Sequence, residues 1–115
     1  MDIQTQQAGP VCSISLRGEL DIYAAATVRQ RLLPLLAEHP LIELQLAEVS
    51  EIDTAGVQIL LAAKLMSQRV GHTLRLAGHS PAVVAALELC GLLPYFGDPV
   101  IEFPASRSAA SKEIA

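Results

Sequence analysis

A chain of 115 residues with a formal net charge of −4 forms one domain around one core. Hydrophobic residues make up 51% of it and aromatic residues only 3%. Together with the negative charge, this excludes the basic, aromatic-bearing surface that nucleic acid requires. No apolar run reaches the roughly 20 residues that span a bilayer. The opening Met1-Asp2-Ile3-Gln4-Thr5 lacks the basic and apolar blocks of a secretory signal. Cys12 and Cys90 stand far apart, each within an apolar pattern, so buried free thiols are expected. The expectation is a soluble cytoplasmic protein with no membrane insertion and no nucleic-acid partner.

In chain order, Met1–Gln7 reads as a strand ended by the turn Ala8-Gly9-Pro10. From Val11 to Arg17, Cys12, Ile14 and Leu16 alternate with Ser13 and Ser15, the period of a half-buried strand hairpinned to the first. Gly18-Glu19-Leu20-Asp21 is read as the turn into a helix over Tyr23–Glu38. There Val28, Leu32, Leu35 and Leu36 recur at helical spacing, with Arg29, Gln30 and Arg31 on the wet side. Pro34 removes one backbone bond inside it, so a kink or early stop is expected. A third strand spans Leu41–Leu46, and the strongest helix runs from Ala55 to Val70, closed by Gly71. His72–Ala77 is the next strand, and Ser80-Pro81 then opens a helix with an N-cap and a proline at its first position. That helix ends at Cys90-Gly91. Leu92–Phe96 reads as an apolar connector, Val100–Phe103 as an added edge strand, and the small, polar stretch from Pro104 as a disordered tail. The order predicts an α/β fold: a mixed four- to five-stranded sheet with helices packed on it, over residues 1–103, followed by a tail at 104–115.

One junction stands out: Val49-Ser50-Glu51-Ile52-Asp53-Thr54-Ala55-Gly56-Val57 places two acids, two hydroxyls and a glycine where a strand passes into a helix. The first amides of a helix have no partner within it, and its dipole adds positive potential there. Asp53 or Thr54 can supply the capping oxygen, and a hydroxyl at such a point can carry a phosphate.

Gly18-Glu19-Leu20-Asp21, Asp53-Thr54-Ala55-Gly56, and Ser80-Pro81-Ala82-Val83 with Leu89-Cys90-Gly91-Leu92, in that order, resemble the landmarks of the STAS domain. That is the family of bacterial anti-sigma factor antagonists, and the likeness runs over about residues 3 to 103. It implies a non-enzymatic binding switch without a cofactor. The unphosphorylated domain captures an anti-sigma factor serine/threonine kinase of the histidine-kinase-like ATPase type; the kinase phosphorylates a hydroxyl after the motif aspartate, and the modified domain lets go until a phosphatase resets it. That acceptor maps onto Thr54. The second motif hydroxyl, usually serine, is Ala55 here, so Thr54 is the one acceptor in the motif. The resemblance places the counterpart of Asp21 near the acceptor, on the partner or kinase surface; capping of the first helix is its simpler role.

On a wheel of 100° steps, Ile59, Ala62, Ala63, Met66 and Val70 fall on one side of the long helix. Gln58, Lys64 and Gln68 fall on the other, interleaved with Val57, Leu61 and Leu65 in a row leading away from Thr54. The row is read as an apolar docking ridge. The expected partner surface is then Asp21, Asp53, Gly56, Val57, Gln58, Leu61 and Leu65, and Leu61→Lys is expected to abolish binding with little loss of stability. His39, His72 and His79 lack metal-ligand spacing and read as loop or strand-edge residues. Two alternatives accompany the switch. Small STAS proteins also serve as constitutive subunits of lipid-transport ABC ATPases, and STAS switches are also wired to other signalling pathways such as chemotaxis.

Overall fold

The computed structural model describes residues 1–96. Its elements are β1 (Asp2–Ala8), β2 (Val11–Leu20), α1 (Ile22–Glu38), β3 (Leu41–Ile52), α2 (Thr54–Arg69), β4 (Thr73–Ala77), α3 (Pro81–Leu89) and α4 (Leu93–Phe96). They build a single α/β domain on a four-stranded sheet in the order β1-β2-β3-β4. β1 runs antiparallel to β2, while β2, β3 and β4 are parallel.

The alternation in β2 and β3 has a direct consequence. Cys12, Ile14 and Leu16 of β2 and Ile42, Leu44 and Leu46 of β3 point to one face and are buried, whereas Ser13, Ser15, Glu43 and Gln45 on the other are only half-buried. Parallel neighbours need crossovers, and right-handed crossovers that step across the sheet in one direction lay their helices on one face. α1 and α2 accordingly pack on each other and on the sheet, contributing Val28, Leu32, Leu36, Val57, Leu60 and Ala63 to the core. α3 packs on β3 through Val83 and Leu87, and α4 adds Phe96.

Several sequence-based expectations are corrected. β2 continues through Gly18-Glu19-Leu20 because its register with β3, across shifts between Ser15 and Arg17 and between Gly18 and Glu19, pairs Gly18 with Val49, Glu19 with Glu51 and Leu20 with Ile52. Gly18 has φ of 109°, a conformation other residues rarely adopt, and so serves the bulge rather than a turn into the helix. The same pairing carries β3 past Leu46 to Ile52. α1 runs through Pro34 to Glu38 without stopping: Pro34 is exposed, and Leu32 and Leu36 on either side of it are buried. Packing of that face outweighs the lost backbone bond. α2 has Val70 as its C-cap, and Gly71, with φ of 77°, follows in the left-handed conformation that closes the helix as expected. Leu93–Phe96 forms a short helix rather than a plain connector. The strand expected at Val100–Phe103 and the tail from Pro104 lie outside the described residues.

The cysteines depart from expectation and the histidines do not. Cys12 is buried, and burial pushes its thiol pKa up, but Cys90 is exposed at the C-cap of α3. His72 and His79 lie in the connections on either side of β4, as the sequence suggests; His79 is buried at 2% exposure, and His72 is half-buried with Nδ1 2.9 Å from the Leu36 carbonyl.

Candidate functional site: a junction of two helix N-termini

β2 and β3 end level with each other, since Leu20 pairs with Ile52. Each strand is followed at once by an aspartate and then a helix: Leu20-Asp21-Ile22 and Ile52-Asp53-Thr54. The two aspartates have almost the same backbone, φ −121° and ψ −173° at Asp21 against φ −114° and ψ −172° at Asp53. Both are N-caps, so two positive helix ends emerge side by side from one edge of the sheet.

The two caps are not equivalent. Asp21 uses one oxygen, Oδ1, to accept from the amides of Tyr23 at 3.0 Å and Ala24 at 3.1 Å. Asp53 divides its oxygens between the helices: Oδ1 accepts from the Gly56 amide at 3.0 Å, in its own helix, and Oδ2 from the Ile22 amide at 3.1 Å, the first residue of α1. The Asp53 amide in turn donates to the Leu20 carbonyl at 3.3 Å. One residue therefore ties the end of β2 and the starts of α1 and α2 together.

Because Asp53 fills the capping role, Thr54 is left as the first residue of α2, and it is exposed. Among the described residues no side chain or backbone group holds its hydroxyl. Gly56 is the reason the helix can start so close to β2. A Cβ there would run into the Leu20 carbonyl oxygen and stand 2.7 Å from Ile52 Cγ1. Gly56 is accordingly buried, so its part in the site is packing and not surface. The surroundings are acidic. Glu19 and Glu51 are paired across β2 and β3, both exposed, beside Asp21 and Asp53. The nearby Arg17 is engaged with Glu48 at 3.1 Å and Asp2 at 3.8 Å.

The apolar ridge requires correction. Val57 is 2% exposed and belongs to the core, Leu61 is half-buried, and only Leu65, at 50%, stands in solvent; Gln58 is exposed. The face of α2 that packs inward carries Gly56, Val57, Leu60, Ala63 and Ser67, while Ala62 and Val70, assigned to the core side, are exposed and Ile59 and Met66 half-buried. Lys64 misled the wheel. Its stem turns inward and its Nζ donates to the carbonyls of Leu74 at 3.0 Å and Phe96 at 3.2 Å, so a residue counted as wet lies beside the buried stripe.

Two apolar side chains at the site escape the sequence reading: Ile22 is 65% exposed and Tyr23 90%, on the first turn of α1 next to Asp53. The signal for this arrangement is the repeated strand-aspartate-helix step, which brings Ile22 and Thr54 to equivalent positions. Among the described residues no group of three or more His, Cys, Asp or Glu could hold a metal ion, and no helix is long and apolar enough to cross a membrane.

The family model described as "Mlab, STAS domain" matches residues 3–93. The chain belongs to the STAS domain family. This STAS domain is similar to the anti-sigma-B factor antagonist of Bacillus subtilis (strain 168), with 24% identity over 92 residues that make up 80% of this chain and 84% of the relative. An anti-sigma factor antagonist from Mycobacterium paratuberculosis superposes with a TM-score of 0.77 at 22% identity, covering 90% of this chain and 86% of that one. The anti-sigma factor antagonist SpoIIAA superposes in its unphosphorylated form with a TM-score of 0.71 at 22% identity, over 88% of this chain and 87% of its own. In its phosphorylated form, described as a Bacillus cell fate determinant, the TM-score is 0.66 at 21% identity, over 88% and 90%. At these identities the structural likeness establishes the fold. It places the Asp53–Thr54 junction within a STAS scaffold.

Proposed function

We propose that this STAS domain is an anti-sigma factor antagonist that switches partners through phosphorylation of Thr54. The observation that carries the reading is the division of labour at the start of α2: Asp53 caps the helix, and Thr54 beside it is exposed with its hydroxyl unheld. Ala55 leaves no second acceptor in the motif. That SpoIIAA exists in unphosphorylated and phosphorylated forms supports the same reading.

In the proposed step an anti-sigma factor serine/threonine kinase transfers the γ-phosphoryl group of ATP to Thr54 Oγ. The Oγ–P bond forms, the bond from the γ-phosphorus to the bridging oxygen breaks, ADP leaves and the hydroxyl proton is lost to a base on the kinase. A phosphatase reverses the modification by hydrolysis. The product carries about −1.5 to −2 charges at the head of α2. The helix dipole returns about 0.3–1 kcal/mol for an anion there. Unit charges about 5 Å apart repel by roughly 1–3 kcal/mol at effective dielectrics between water and a protein surface. Repulsion is the larger, but at an exposed, salt-screened site the net cost stays on the order of 1 kcal/mol, so the fold accommodates the group while its outward face becomes strongly anionic. The partner surface in this reading comprises Thr54, Asp21, Asp53, Gln58 and Leu65, with Gly56 and Val57 holding it from beneath and Leu61 at its half-buried border.

The test is direct. The protein is incubated with ATP and a serine/threonine kinase of the histidine-kinase-like ATPase type from the same genome, and phosphate is located by mass spectrometry. Phosphate on Thr54, absent in Thr54→Ala, and loss of kinase binding on modification are the expected results. A kinase that binds the domain but leaves no phosphate on Thr54 overturns the switch and favours a constitutive interaction subunit, as in a lipid-transport ABC ATPase.

A further inference from the structure

We propose that Asp53 is a positioning residue through which the state of Thr54 reaches α1: a phosphoryl group on Thr54 displaces the Asp53 carboxylate from the Ile22 amide. The inference rests on the reading of Thr54 as the acceptor.

The geometry points to this bond and not to its neighbours. Asp53 accepts from two amides that belong to different helices, Gly56 at 3.0 Å and Ile22 at 3.1 Å. The Gly56 bond closes the first turn of α2 and is renewed by any rotamer that still caps the helix. The Ile22 bond is a single long-range contact between exposed groups, and α1 does not depend on it. Asp21 caps α1 independently through the Tyr23 and Ala24 amides, and its carbonyl receives the Ala25 amide at 3.0 Å. A dianion arriving one residue away repels the carboxylate and competes for the amides at the head of α2. The side chain yields at its weakest attachment, and the backbone of α1 stays in place.

What changes is how firmly the first amide of α1 is held. Ile22 and Tyr23, at 65% and 90% exposure, are the exposed apolar side chains of the first turn of α1, and the Asp53 bond ties the Ile22 amide to the head of α2. Phosphorylation on α2 would therefore loosen the start of α1, which carries this exposed apolar pair, without unfolding either helix. Asp53 supplies the link, because it is the side chain that bridges the two helix heads.

The experiment uses the full chain with phosphothreonine installed at position 54 during synthesis, so that no kinase is involved. Amide hydrogen exchange is followed by nitrogen-15 NMR in the unmodified chain, the phosphorylated chain, Asp53→Ser, and phosphorylated Asp53→Ser. Serine keeps a cap on α2 but has one oxygen and so cannot also hold Ile22. The expected result is Ile22 exchange roughly three- to tenfold faster on phosphorylation, the size of one net hydrogen bond. In Asp53→Ser, Ile22 should already exchange at the faster rate and phosphate should add little. Tyr23 and Ala24, held by Asp21, serve as the unchanged reference. The proposal is overturned if Ile22 does not respond to phosphate in the native chain, or responds equally in Asp53→Ser. Should Asp53→Ser prove unstable, Asp53→Asn, which has one acceptor oxygen where the carboxylate has two, replaces it. A kinase that ignores Thr54 while the synthetic phosphoprotein shows the coupling overturns the switch reading alone.

Discussion

At the scale of single residues, the site depends on groups whose roles are packing as much as chemistry. Gly56 is where a side chain cannot be added, with the Leu20 carbonyl and Ile52 Cγ1 in the way. Gly56→Ala is expected to cost about 1–3 kcal/mol, as overpacking does, and to appear as a lower urea midpoint with an unchanged slope. Val57 and Leu65 separate burial from surface on one helix: Val57→Lys should prevent folding by burying an unpaired charge, whereas Leu65→Lys should stay within about 0.5 kcal/mol of the parent. If Leu65→Lys also leaves kinase binding intact, Leu65 is not part of the partner surface. The two thiols should separate as sharply under native conditions with Ellman's reagent: Cys90 reacts at once and Cys12 only after denaturation. Because burial raises the Cys12 pKa, the unfolded chain loses that proton first as pH rises, so this thiol lowers stability only above the ordinary thiol range.

At the scale of elements, the two helices that frame the site are held by different means. α1 carries Pro34 in its interior and survives because Leu32 and Leu36 are buried on its inner face. Pro34 itself is exposed, so Pro34→Ala restores a backbone bond without disturbing the core. It is expected to raise stability by about 1–3 kcal/mol, measured by thermal unfolding; a loss would mean that the proline bend is required for α1 to fit the sheet. α2 is anchored at its head by Asp53 and Gly56 and along its length by Lys64, which reaches carbonyls of β4 and α4. Where a lysine ties three elements together, its charge is a poor guide to which helix face is wet.

At the scale of the whole molecule, the carboxyl ends of β2 and β3 and the starts of α1 and α2 share one edge, and the acidic residues Glu19, Asp21, Glu51 and Asp53 gather there. A further negative group on Thr54 meets repulsion from them and attraction from two helix dipoles. The melting temperature of the phosphorylated chain is therefore expected to lie within about 5 °C of the unmodified one, a difference on the order of 1 kcal/mol for a domain of this size. A shift of 15 °C or more in either direction would mean that the site is coupled to global stability, contrary to a local switch.

The α/β class, the alternating strands, the cap at Ser80 and the junction at Asp53–Thr54 were legible in the sequence because each depends on neighbours in the chain. Alternation sets which side chains share a sheet face, and a capping oxygen serves an amide three residues away. The extension of β2 and β3 was not legible, because Gly18–Leu20 become a strand only when Val49, Glu51 and Ile52 lie alongside. The same holds for the burial of Val57, decided by where sheet and α1 close on α2, and for the inward turn of Lys64. The bond from Asp53 to Ile22 spans 31 positions in the chain. Local propensity cannot encode it; parallel pairing, which brings Leu20 level with Ile52, creates it.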